Sequence, residues 1–146
     1  MSEEMKQINI LLAEDSPTDV KIMEWTIEKE VPNHKLFVVQ DGQDALDLIY
    51  HKGAYEGKEQ EFPVPDFILL DINMPKVSGL EVLKKIKEDP ALEAIHVVII
   101  THSQDEKDFN ASYEQGAVSF INKSETNDEL TSVLQLFKSY WVDRHS

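Results

Sequence analysis

The sequence predicts a doubly wound α/β domain, a five-stranded parallel sheet with helices on both faces. Three observations carry that prediction. From Gln7 onward, short apolar runs alternate five times with segments of helical character. The runs are too short for helices and rich in Ile, Val and Leu, as strands buried on both faces are. No linker or low-complexity stretch interrupts the alternation, so residues 1–146 read as one domain with its core over about 7–140.

Ile8 to Ala13 is the first strand and leads into Glu14 and Asp15. Ser16 followed by Pro17 starts a helix: a side-chain cap, then a residue whose missing N–H costs nothing at the first helical position. That helix is expected to reach about Glu30, with the pairs Ile22/Met23 and Thr26/Ile27 facing the sheet and Val20 and Trp25 nearer the outside. Trp25 either serves a docking partner or packs on a neighbouring element. His34 to Gln40 is the second strand, and Asp41-Gly42 turns it into a helix ending near Lys52. Residues 53–65 hold Gly, Pro and several charges without a clear period, long for a connection in an α/β domain. They read as a solvated insertion tacked down by Tyr55 and Phe62.

The apolar run inside Pro65–Pro75 is the third strand, ending at Asp71. Ser78 caps a helix whose Leu80, Val82, Leu83 and Ile86 face the sheet, and Pro90 ends it. His96 to Ile100 leads into Thr101. The polar segment near Asp105 to Gln115 is a helix with few apolar residues, expected to pack lightly and to be adjustable in position. Val118 to Asn122 leads into Lys123. The last helix, over about 125–144, carries Leu130, Val133, Leu134, Phe137, Tyr140 and Trp141 at i, i+3, i+4, i+7 spacing.

Ligands of open parallel sheets bind outside the carboxyl ends of the strands, so four of these endings should converge. They would bring together Glu14, Asp15, Asp71, Thr101 and Lys123. Three carboxylates that close repel unless a cation joins them, which points to a hard divalent metal such as magnesium. The ammonium and the hydroxyl then suit a phosphoryl group. Singly, each residue has a plainer reading, as turn or cap aspartate, strand threonine and surface lysine; in this order at these strand ends, the plainer readings would all have to hold independently.

The acidic pair Glu14-Asp15, Asp71, Thr101 and Lys123, with the phrases Asp41-Gly42-Gln43-Asp44-Ala45-Leu46, Asp71-Ile72-Asn73-Met74-Pro75 and Ser78-Gly79-Leu80-Glu81-Val82-Leu83, resemble a two-component response-regulator receiver domain. The insert and the aromatic tail look more particularly like single-domain regulators that partner phytochrome-type histidine kinases. The resemblance implies strand order 2-1-3-4-5, as in flavodoxin-like and CheY-like folds. It implies phosphoryl transfer from a phosphohistidine onto Asp71 with Mg2+, the metal held by Asp15 and Asp71, by the backbone carbonyl of Asn73, and by Glu14. Lys123 and Thr101 would receive phosphate oxygens, and Thr101 with Phe120 would form the switch that reshapes the face of the fourth helix, fifth strand and fifth helix. Such a protein is a phosphoacceptor and not an enzyme acting on other substrates. Departures from the family pattern are Ser124, where many receivers have proline, and His102, where a small residue is common. Asn73 and Ser103, both neutral, fall where the family tunes the lifetime of its phosphate.

Other chemistries fit less well. A phosphatase of the haloacid dehalogenase class wants a second aspartate two residues after the nucleophile, where this chain has Asn73. A flavin or nucleotide site wants a Gly- or Ser/Thr-rich loop after the first strand, whereas Glu14-Asp15-Ser16-Pro17 repels phosphate without a metal. A fixed adaptor, never phosphorylated, would not need so complete a pocket. Fourteen Lys and Arg against 28 Asp and Glu give a net charge of −14, which argues against nucleic acid and anionic membranes as partners. The absence of cysteine, of a signal-peptide pattern at Met1-Ser2-Glu3-Glu4 and of a spanning apolar run leads to a cytoplasmic expectation. The histidines His34, His51, His96, His102 and His145 lack ligand spacing and read as ordinary residues. Phe137, Tyr140 and Trp141 either cap their own core or form a self-complementary patch, and the expectation taken is a homodimer through the helix 4–strand 5–helix 5 face.

Overall fold

The computed structural model describes residues 7–123 and 127–145. Five parallel strands, β1 (Ile8–Ala13), β2 (His34–Val39), β3 (Phe67–Leu70), β4 (His96–Thr101) and β5 (Ser119–Asn122), lie in the order β2-β1-β3-β4-β5. Five helices connect or follow them: α1 (Pro17–Glu30), α2 (Gly42–Tyr50), α3 (Gly79–Glu88), α4 (Glu106–Glu114) and α5 (Asn127–His145). The expected architecture and strand order are both observed.

Alternation along each strand divides the core into two layers. Ile8, Ile10 and Leu12 of β1, with Phe67 and Leu69, pack against Met23 and Ile27 of α1 and Leu130, Leu134, Phe137 and Trp141 of α5. Leu11, Ala13, Ile68 and Leu70 point the other way, onto Ala45, Leu48 and Ile49 of α2 and Val82, Leu83 and Ile86 of α3. β1 and β3 are therefore buried on both faces, which is why β3 is a continuous apolar run and β1 is one apart from Asn9.

The helix starts follow the capping residues. The hydroxyl of Ser16 accepts from the N–H of Asp19, the carboxylate of Asp41 from Asp44, and the hydroxyl of Ser78 from Glu81. α1 is rotated slightly from the expected phase. Met23, Thr26 and Ile27 are its buried residues, Val20 packs against the core edge, and Ile22 is 45 % exposed. Ile22 lies one position short of the 23/27 seam, and the rotation takes it out of the interface. Trp25 is 62 % exposed, with the ammonium of Lys29 5.5 Å from its ring.

The insertion is tacked down as expected. After a 3₁₀ turn over Gly53–Tyr55, the Tyr55 and Phe62 rings meet edge to face at 4.9 Å, and Phe62 reaches Phe37 of β2 at 5.7 Å. The Tyr55 hydroxyl donates to Asp44 at 3.0 Å; burial and that carboxylate push the phenol up to about 12. At the other end of the chain, Phe137 and Trp141 are spent in the core, while Leu136 and Tyr140 remain exposed. Of the two readings of the aromatic tail, those two residues follow the first. The expected helix start near Glu125 lies outside the described residues. Among the described residues, no helix is long and apolar enough to cross a membrane.

Candidate functional site

Glu14, Asp71 and Lys123 each continue a strand by one step, and Thr101 is the last residue of β4. The N–H of Glu14 donates to Val39 O, that of Asp71 to Ala13 O, and that of Lys123 to Thr101 O, so the sheet ladder itself fixes where these side chains leave the backbone. Two glycines let the loop after β3 lie close beneath the helices. A Cβ on Gly79 would fall 2.1 Å from the carbonyl oxygen of Asp71, and one on Gly42 would fall 1.9 Å from that of Val77. The Asp-Gly and Ser-Gly pairs in the sequence thus combine a helix cap with close backbone approach.

One ligand oxygen each from Glu14, Asp15 and Asp71 lies within 4.8 Å of the others. Glu14 and Asp71 are buried and Asp15 is exposed, so the cluster opens to solvent on one side. Hard oxygen donors at this spacing fit a divalent cation of the magnesium or manganese kind. The carboxylates are held from behind: Glu14 Oε2 accepts from Ser16 N at 3.1 Å and Asp71 Oδ1 from Asn73 N at 3.3 Å.

The ammonium of Lys123, almost wholly buried, reaches into this cluster. It pairs with Glu14 Oε1, lies 3.0 Å from Asp71 Oδ2, and lies 3.1 Å from Asp19 Oδ2. Burial alone would favour loss of its proton, but the hydrogen bonds to Glu14 and Asp71 outweigh it and its pKa lies above the ordinary lysine value. Burial raises the Glu14 carboxyl, and the Asp71 charge adds to this against the opposing Lys123 and Ser16 hydrogen bonds. Asp19 is a residue of this cluster that the sequence reading missed. It sits on the first turn of α1 and also faces His102 Nε2 at 3.4 Å. Burial works against its charge, yet Lys123 and His102 together hold its carboxyl below the usual aspartate range.

Thr101 is fully buried, and its hydroxyl oxygen accepts from Ser103 N at 3.2 Å. Ser103 in turn donates to Asp108 of α4 at 2.6 Å. Phe120 is half-buried, its ring 5.4 Å from that of Phe109 and its N–H directed at the Tyr113 hydroxyl. The carboxylates and Lys123 are therefore brought together, while Thr101 and Phe120 lie on a neighbouring unit joined to α4. His102, the other departure from the family pattern, shares Asp19 with Lys123. Ser124, the departure noted after the lysine, lies outside the described residues.

Comparison with known proteins gives a consistent set of matches. The family model for the response regulator receiver domain matches residues 10–135. Response regulator Rcp1 of Synechocystis sp. is 37 % identical over 134 residues, covering 92 % of this chain and 88 % of that protein. The crystal structure of the Mn(2+)-bound form of Rcp1 superposes with a TM-score of 0.77 at 36 % identity, covering 92 % of this chain and 94 % of the other. The phosphorylated cyanobacterial phytochrome response regulator RcpA gives a TM-score of 0.79 at 30 % identity, over 97 % of this chain and 98 % of the other.

Proposed function

The chain belongs to the response regulator receiver domain family, and from that premise we propose that it is a stand-alone regulator whose Asp71 accepts a phosphoryl group from a sensor histidine kinase. It is a signalling protein and not a classical enzyme, and receivers of this family take a divalent metal. The observation that carries the assignment of Asp71 is its position between the Glu14–Asp15 acids and the Lys123 ammonium.

A carboxylate oxygen of Asp71 attacks phosphorus, the P–N bond to the donor imidazole breaks with its electrons leaving on nitrogen, and an acyl phosphate forms. Glu14, Asp15, Asp71 and the Asn73 carbonyl would hold Mg2+. When bound, the metal screens the carboxylate from the incoming phosphoryl group and stabilises charge on the transferring oxygens. Lys123 supplies the second cation, and Thr101 donates its hydroxyl to a phosphate oxygen once one is present. The hydroxyl can donate to that oxygen while still accepting from the Ser103 N–H, so a shift of Thr101 toward the phosphate is passed to Ser103 and biases the Ser103–Asp108 link to α4. Phe120 moves with it and the α4–β5–α5 face changes shape.

The named relative RcpA supports a phytochrome-type kinase as donor, and Rcp1 is matched over most of its own length, which supports a one-domain regulator. Output through protein contact suits a chain of net charge −14, for which DNA is a poor partner, in the cytoplasm beside its kinase. The exposed Phe109, Tyr113, Val118, Leu136 and Tyr140 would serve either a downstream protein or a second copy across the α4–β5–α5 face. Incubation with acetyl phosphate followed by a phosphate-affinity gel tests the core of the proposal. A Mg2+-dependent shift lost in Asp71→Asn is expected; a shift that survives the substitution would assign the phosphate elsewhere.

A further inference from the structure

The Lys123 ammonium has three N–H donors and faces three carboxylates. Two of them, Glu14 and Asp71, belong to the oxygen cluster that fits a divalent cation, and the third does not. A cation and the ammonium therefore compete for Glu14 and Asp71. With a side chain only 6 % exposed, the ammonium has little water to turn to, so the partner available to it outside the cluster decides how strongly it competes. That partner is Asp19. Its place is set by the first turn of α1, where its N–H is bonded to the Ser16 hydroxyl, and its own carboxylate lies between the buried ammonium and the exposed His102 ring.

We propose that Asp19 is a positioning residue: it gives Lys123 a half-buried counter-ion outside the metal cluster, so that the buried ammonium keeps an ion-pair partner when it yields Glu14 and Asp71 to the cation. The inference rests on the divalent-metal reading of the cluster. In the absence of Asp19 the ammonium has, among the described residues, the two ligand carboxylates as its ion-pair partners, and cation binding competes with it for both.

A plain field effect would also make loss of Asp19 weaken cation binding, since one negative charge is removed nearby. The two accounts separate in a double-mutant cycle read by calorimetric titration of the full chain with MgCl2 at fixed ionic strength. Wild type, Asp19→Asn, Lys123→Met and the double variant are compared. If Asp19 acts through Lys123, Asp19→Asn raises the metal dissociation constant about three- to tenfold in the wild-type background, and changes it less than about twofold once Lys123 is methionine. Asp19→Ser, equally suited to the first turn of a helix, repeats the comparison should asparagine disturb α1. An equal loss in both backgrounds would reduce Asp19 to a distant charge, and no loss in either would remove it from the site; both overturn the proposal while leaving the metal site standing. Failure of wild type to bind Mg2+ at all would overturn the metal reading and this inference with it.

Discussion

Around β1, β3 and α3 the structure is dense: every residue of β3 is buried, and Val82, Leu83 and Ile86 of α3 are fully enclosed. Around α4 and β5 it is sparse. Ser112 is the buried residue of α4, Ile121 that of β5, and Phe109 and Tyr113 stand more than 40 % exposed. The first region carries the carboxylates proposed to hold the metal, and the second carries Phe120 and the Ser103–Asp108 link through which the proposed switch would act. A hard cation needs oxygens at fixed separations, whereas a signal needs an element with few contacts to lose. The same sheet supplies both, because α3 packs its apolar seam on the core and α4 hardly has one.

The widest measure of that contrast is truncation on each side. Leu83→Ala should cost about 2–5 kcal/mol of stability, the range for an enclosed leucine. Phe109→Ala, which loses ring contacts to Tyr113 and Phe120 at the surface, should cost about 1 kcal/mol. Chemical denaturation of both variants checks this. Equal costs would show α4 to be as firmly held as α3, and would leave the switch without a soft element.

A narrower probe addresses the backbone under Asp71. Gly79→Ala puts a methyl group 2.1 Å from the Asp71 carbonyl oxygen, and relief of that overlap requires the loop after β3 to shift, at about 1–3 kcal/mol. Because the shift moves Asp71 relative to Glu14 and Asp15, phosphorylation by acetyl phosphate should fall more steeply than stability does. Normal phosphorylation in a folded Gly79→Ala protein would mean that the acid cluster tolerates displacement.

The dense region is also the one that was legible in the sequence. Buried strands write themselves as apolar runs, so Glu14, Asp71 and Thr101 could be located at the ends of β1, β3 and β4, and the weaker run of β5 still led to Lys123. Asp19 could not. It lies 104 residues from Lys123 in the chain and meets it only because the first turn of α1 comes to rest beside the end of β5. A first-turn aspartate is so common as a helix-start residue that its composition carries no further signal. Ile22 failed for a related reason: adjacent apolar residues on a helix leave its rotation open by one position, and packing against both sheet and α5 settles it. The footing of the insertion was legible through Tyr55 and Phe62, since large rings in a polar stretch have few other uses.

The smallest effect concerns Glu14, and it asks whether the dense region is stabilised or strained by its own charges. Burial, reinforced by Asp71, raises the Glu14 pKa above the ordinary value of 4.5 despite the opposing Lys123 and Ser16 bonds. The folded chain then binds this proton more tightly than the unfolded one. The resulting stabilisation is complete below pH 4.5 and is lost as pH rises through the folded value, so at neutral pH the ionised carboxylate is a cost to the metal-free fold. Glu14→Gln without metal should melt above wild type at pH 7, and the gap should close as the pH is lowered toward 4.5. Lys123 does not confound the measurement, because its raised pKa confers stability that is complete below 10.5 and constant across this window. Saturating Mg2+ should reverse the order, since a cation that binds only the folded state adds about 2.7 kcal/mol at a hundred times its dissociation constant and the glutamine variant has lost one ligand. A Glu14→Gln protein that melts below wild type at pH 7 without metal would show the ion pair with Lys123 outweighing burial. The acid cluster would then be a stabilised salt bridge that metal must break, and not a strained site that metal relieves.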